Sequence, residues 1–138
     1  MILDSSAIVH VLMTRKGEAL QHLEGRGTLD LARYEIGNVI WKEAALHGNV
    51  QSSEALVMAE YAARILLQMD VLKVETAEQA SDTMKLAIEQ GLTYYDAAYV
   101  YHARSIPPLV TEDVQLLKKA KQADVEAMTV SQAIEAET

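Results

Sequence analysis

Short apolar runs alternate with longer stretches of helical spacing along the whole chain, and this alternation restricts the folds it can reach. Met1 to Leu3 is an apolar run that ends at Asp4. Thr28 to Leu31 and Val71 to Val74 are further short runs. Leu109 and Val110 lead into Thr111-Glu112-Asp113, and Val125 to Met128 is the last. Strands separated by helix-length segments must run parallel, with the helices packed on both faces. The expected fold is therefore α/β, with a central parallel sheet of about four to five strands.

The intervening segments carry their own signals. Asp4-Ser-Ser caps a helix over Ser5 to Val11. Lys16 to Leu23 is a second short helix, closed by Gly25 and Gly27. Ala32 to His47 has an apolar stripe of Ile36, Val39, Ile40 and Ala44, with Gly48 at its C-terminal cap. Tyr34, Asn38, Trp41 and Ala45 line a second face, which either meets a partner chain or lies against its own domain. Gln51 to Met69 has the most regular spacing: Ala55, Met58, Ala59, Ala62, Ile65, Leu66 and Met69 share one side. Its methionines are core filler, and Glu60 and Arg64 interrupt it too soon for a membrane span. Thr76 to Gln90 is helical and Gly91 follows it. Thr93, with Asp96 three residues on, resembles a capping box. The helix it opens must stop before Pro107. Val114 to Lys121 and the tail from Val130 are the last helices.

With 138 residues and no internal repeat or linker, residues 1–138 make one domain. Half the residues are hydrophobic, 23% are charged and cysteine is absent, so disulfides and thiolate chemistry are excluded. No basic segment followed by an apolar run opens the chain, which predicts a cytoplasmic protein with no membrane association. The net charge of −8 argues against a broad basic surface for nucleic acid. Four of those charges, however, belong to the acids discussed next, and two divalent cations would offset them.

Ligands of open parallel sheets bind at the carboxyl ends of the strands. Asp4 follows the first run and Asp113 the fourth. Glu35 lies a helical turn beyond the second run, and Asp96 a turn into its helix. All four acids can face one edge. Oxygen donors with no histidine or cysteine among them suit magnesium or manganese rather than zinc. Helix capping competes with this reading, because carboxylates are favoured at helix N-termini for their own sake. The two roles are compatible, since a carboxylate held by backbone N–H groups stays ionised. His10, His22, His47 and His102 share no spacing. Ser5 and Ser6 have no base near them in sequence. Lys118, Lys119 and Lys121 form a solvated face or touch a phosphate backbone. No glycine loop is present to cradle a nucleotide.

Met-Ile-Leu-Asp4-Ser-Ser-Ala-Ile-Val resembles the opening of PIN domains. Tyr34-Glu35-Ile-Gly-Asn38-Val-Ile-Trp, Leu92-Thr-Tyr-Tyr-Asp96-Ala-Ala-Tyr and Leu109-Val-Thr111-Glu-Asp113-Val-Gln-Leu-Leu resemble their later signatures, in order. The compact length looks most like the VapC toxins of VapBC toxin–antitoxin systems. The resemblance implies a Mg2+- or Mn2+-dependent endoribonuclease that leaves 5′-phosphate and 3′-hydroxyl ends. It puts the catalytic and metal-binding acids at Asp4, Glu35, Asp96 and Asp113, with Ser6 and Thr111 supporting them. It also implies an RNA substrate, a homodimer, and a cognate VapB-type antitoxin whose C-terminal segment enters the acidic site. Some relatives have a further acid where Gln115 stands, so a second metal is expected to bind weakly or only with substrate. Two other functions compete: a housekeeping PIN nuclease of ribosomal or transfer RNA maturation, and a non-catalytic PIN-fold binding module.

Overall fold

The computed structural model describes residues 1–137, with side chains for 1–134. Five short strands form its sheet: β1 (Ile2–Leu3), β2 (Gly27–Leu29), β3 (Asp70–Leu72), β4 (Leu109–Val110) and β5 (Ala127–Met128). All neighbours are parallel, in the order β3-β2-β1-β4-β5. In register, Ile2 lies opposite Gly27 and Leu109, and Leu3 lies opposite Val110.

Successive side chains of a strand point to opposite faces, and here the two faces carry two cores. Leu3 and Val110 pack with α1 (Ser5–Arg15), α3 (Leu31–Trp41) and α4 (Ser52–Leu67) through Ile8, Ile36, Ile65 and Leu66. Ile2 and Leu109 pack on the other side with α5 (Ala77–Gln90), α6 (Tyr94–Ala103) and α7 (Val114–Gln122) through Leu86, Tyr99, Val100 and Leu116. Helices thus cover both faces, as the alternation predicts. The remaining helices are α2 (Ala19–Leu23) and α8 (Val130–Glu137). The described residues contain no helix long and apolar enough to cross a membrane.

From β1 the chain adds β2 and then β3 on one side, and afterwards returns to place β4 and β5 on the other. The direction of winding therefore reverses between β1 and β4. Such a reversal opens a crevice at the strand ends, because the two flanking connections leave toward opposite faces.

Several boundaries differ from the sequence reading for local reasons. The segment 16–23 begins as a 3-10 turn (Lys16–Glu18) before α2, and Gly25 (φ 73°) closes it. Gly27 belongs instead to β2, whose expected span was 28–31. β2 ends at Leu29 because Asp30 already has helical backbone angles (φ −58°, ψ −28°) and α3 begins at Leu31. β3 starts at Asp70 rather than Val71, since the Asp70 N–H donates to Arg26 O (2.8 Å). α3 continues beyond Trp41 as a wider π turn, Lys42–Leu46, closed by His47 N–H to Lys42 O. The last strand is shortened to Ala127–Met128, although Val125 is buried in the core. Tyr34 and Trp41 are 75% and 53% exposed, so neither is buried against its own domain.

Ile2 has no exposed surface, whereas Ile88 is 75% exposed on α5. Ile2→Ala should lose about 2–5 kcal/mol in urea unfolding, by transfer and cavity terms. Ile88→Ala should stay within about 0.5 kcal/mol. Equal losses would show that the sheet is not the centre of the core.

Candidate active site

β1 delivers Asp4 to the crevice, and three donors fix its carboxylate. Oδ1 accepts from the Ser6 hydroxyl (2.7 Å) and from the Ala7 N–H (2.9 Å), which caps α1. Oδ2 accepts from the Thr111 hydroxyl (2.6 Å). Thr111 is fully buried just after β4, so this bond crosses the reversal point. The network continues on both sides. The Ser6 oxygen accepts from Glu112 N–H (3.0 Å), and the Thr111 oxygen from Asp113 N–H (3.0 Å). Burial pushes the Asp4 carboxyl above its usual range, against the lowering effect of its hydrogen bonds to Thr111, Ser6 and Ala7. The nearby Glu35 charge adds to the rise.

Asp113 caps α7: its Oδ1 accepts from Gln115 N–H (2.9 Å) and Leu116 N–H (3.1 Å). Glu35 lies in the second turn of α3, beyond the cap position held by Asp30. Its Oε1 accepts from the Tyr99 hydroxyl (2.8 Å). Asp96 stands in the first turn of α6, but Thr93 is the cap there, accepting from Asp96 N–H (3.1 Å). Capping therefore accounts for Asp4 and Asp113 and does not account for Glu35 or Asp96.

Asp96 is held above its usual range first by burial, and then by the charges of Asp113, Asp4 and Glu35. The four acids thus stand within one another's fields at one edge of the sheet. None of the ion pairs among the described residues involves any of them. Nor are any three acid, imidazole or thiol groups among the described residues arranged as a ready set of metal ligands. Like charges repel, which adds to the rise at Asp96 that burial begins. The donor set fits a hard divalent cation in chemistry and charge: oxygen only, anionic, and unpaired with lysine or arginine.

Sequence reasoning missed Tyr99. It is 1% exposed, and its hydroxyl holds Glu35 while its ring packs in the core. Burial, followed by the Glu35 charge, pushes its phenol far up, so it stays a donor. The available signal was its position three residues after Asp96, on the same face of α6. Glu112, also unremarked, caps α8 through Oε1 and Val130 N–H (2.8 Å). The histidines lie elsewhere: His47 bonds Glu43 (3.0 Å), and His102 bonds Lys73 O (3.1 Å). Of the three lysines on α7, Lys119 donates to Gly91 O (2.6 Å) at the end of α5, while Lys118 and Lys121 are exposed.

A five-stranded parallel sheet, covered on both faces and carrying four carboxylates at its reversal point, has the architecture of a PIN-like protein. Among solved structures, PAE2754 from Pyrobaculum aerophilum superposes with a TM-score of 0.78 at 31% identity, over 98% of this chain and 92% of that one. The chain is 37% identical over 131 residues to "Exonuclease VapC9" of the same organism, covering 94% of this chain and 92% of the relative. It is 36% identical over 126 residues to "Ribonuclease VapC3", covering 86% and 93%. No family model matches the chain. On these similarities the chain belongs to the VapC family of PIN-domain proteins.

The raised Asp96 carboxyl has a consequence for stability. A folded-state value above the unfolded one means that ionised Asp96 destabilises the fold above that value, and that this cost fades as pH falls through it. Asp96→Asn should therefore raise Tm at pH 7.5 in chelator, with a gain that shrinks toward pH 4. Added manganese should stabilise the native chain, by about 2.7 kcal/mol at a hundred times its Kd. The same addition should do little for the variant. A lower Tm for Asp96→Asn in chelator, or an equal response to manganese, would contradict this electrostatic picture.

Proposed function

We propose that this protein is a ribonuclease that hydrolyses RNA phosphodiester bonds with Mg2+ or Mn2+, and is the toxin of a VapBC-type pair. The observation that carries this reading is the group of four mutually repelling, unpaired carboxylates at the reversal point of a VapC-family sheet. The nuclease activity rests on the names of the two relatives, one an exonuclease and the other a ribonuclease.

Asp4, Glu35, Asp96 and Asp113 would hold the cation. A divalent ion there supplies Lewis acidity toward a phosphate oxygen and lowers the pKa of a bound water. The side chains have distinct tasks. Both Asp4 oxygens already accept hydrogen bonds, so Asp4 is an orienting group with little freedom to move. Ser6 and Thr111 fix its direction. Tyr99 does the same for Glu35 through one oxygen, leaving the other free of protein donors among the described residues. Asp113 uses only Oδ1 in capping α7 and is exposed, which makes it the better acceptor for the proton of an attacking water. Attack in line with the 3′ oxygen would break the P–O3′ bond: the 3′ oxygen takes a proton from solvent and leaves as a hydroxyl, and the phosphate stays on the 5′ oxygen of the next nucleotide.

The same charge cluster suits inhibition by an antitoxin. A guanidinium forms paired, charge-assisted bonds with carboxylates that lack a cation. An apolar groove of about 460 Å3 between α1, α3 and α4, lined in part by Leu12, Ile36, Ile40 and Met58, offers the rest of such a partner a surface. α1 and α3 also carry Ser6 and Glu35. The native assembly in this reading is a homodimer.

Purified protein should cleave RNA with manganese and lose that activity in chelator. Asp4→Asn should lower cleavage by more than about 100-fold, and Thr111→Val by about 10- to 100-fold, the range for residues that orient ligands. Full activity in Asp4→Asn would remove the assignment. The exonuclease name of one relative favours a second reading, cleavage from chain ends. A circular RNA separates the two: an endonuclease opens it and an exonuclease does not. Sedimentation at micromolar concentration should show a dimer, and a clean monomer would exclude it.

A further inference from the structure

A second concavity opens at the same edge of the sheet, on the β3 side of the acids. It holds about 240 Å3 and lies between the β2–α3 turn, the segment after β3, and the first turn of α6. Leu31, Val74, Tyr94 and Tyr95 line it, with Asp30 and Lys73 among its polar side chains. Ala98, 5% exposed, also lines it. Tyr95 is 61% exposed and Tyr94 36%, and neither ring has a protein hydrogen bond or ring partner among the described residues. Asp96 follows them directly. Asp30 occupies the cap position of α3 but makes no capping bond, so its carboxylate stays available.

Resting on the ribonuclease reading, we propose that this pocket is a subsite for one nucleobase of the substrate strand, beside the scissile phosphate. The two tyrosines would supply the stacking surface. Three observations favour a base over other occupants. The volume is below that of pockets for larger ligands, so it suits a single flat ring and not a helix. The chain has a net charge of −8, so it offers the phosphate backbone little general attraction, and contacts that do not depend on charge gain weight. Aromatic stacking is such a contact, and it accepts single-stranded bases. Asp30, a hydrogen-bond acceptor, favours a base with an exocyclic amine over uracil. Lys73, held near Glu75 (3.2 Å), is a donor for the base edge.

The test is cleavage of a short single-stranded RNA in manganese by native protein, Tyr95→Ala and Tyr95→Phe. An RNA with an abasic site next to the cleaved bond is added, and each variant is checked by sedimentation. Tyr95→Ala should raise KM about ten-fold, and Tyr95→Phe, which keeps the ring, less than about two-fold. The abasic RNA should cost the native protein a similar factor and cost Tyr95→Ala nothing more. Native protein that cleaves RNA with the same KM as Tyr95→Ala overturns the subsite and leaves the nuclease intact. Unchanged KM with loss of the dimer in Tyr95→Ala identifies the pocket as a subunit contact and also overturns it. Native protein that cleaves no RNA removes the nuclease reading and the subsite with it.

Discussion

The bond between Thr111 and Asp4 joins the two halves of this molecule at the point where both depend on it. β1 and β4 are adjacent in the sheet, but the residues that follow them are 107 apart in sequence. The helix after β1 packs on one face and the helix after β4 on the other, so the strand ends diverge. A buried carboxylate that accepts from Ser6, Ala7 and Thr111 closes the floor of that divergence. The cost of burying its charge is large enough to raise its pKa despite all three bonds. The fold therefore retains at its centre a charge that a neutral polar group would fill more cheaply.

That cost is not isolated. Asp96, Glu35 and Asp113 surround Asp4 with further negative charge, and no described lysine or arginine forms an ion pair with them. Fields of this kind destabilise the free protein and favour whatever brings positive charge, which under the proposed function is a divalent ion or the arginine of an inhibitory partner. One arrangement thus serves both the activity and its control under the proposed function, and affinity for either ligand comes partly from relief of repulsion.

Much of this was legible in the sequence, and the parts that were not have a common origin. Asp4 and Asp113 follow apolar runs directly, so their place at the strand ends can be read from local order. Helix capping explained them equally well, and the structure assigns them that role too. Glu35 and Asp96 could not be separated from capping by position alone. Only the observed cap positions, at Asp30 and Thr93, show that neither carboxylate is needed by its own helix. Tyr99 escaped notice because an aromatic residue in an apolar helix reads as core. It is core, and its hydroxyl reaches Glu35 across the sheet edge, from α6 on one face to α3 on the other. The start of β3 moved for the same kind of reason, because the Asp70 N–H finds an acceptor in Arg26 O just before β2.

Local sequence by itself determined the alternation of strand and helix, the parallel sheet, the two-sided cover and the order of the acidic strings. These follow from side-chain periodicity and capping, which act over a few residues. Tertiary structure alone decided the strand order, and with it that the reversal falls between β1 and β4. It also decided that Thr111 bonds Asp4, that Tyr99 holds Glu35, and that Tyr94 and Tyr95 border a pocket with Asp30 and Lys73. Pairing between strands far apart in the chain is chosen by the burial of both faces at once, a property of the assembled sheet that no single segment carries.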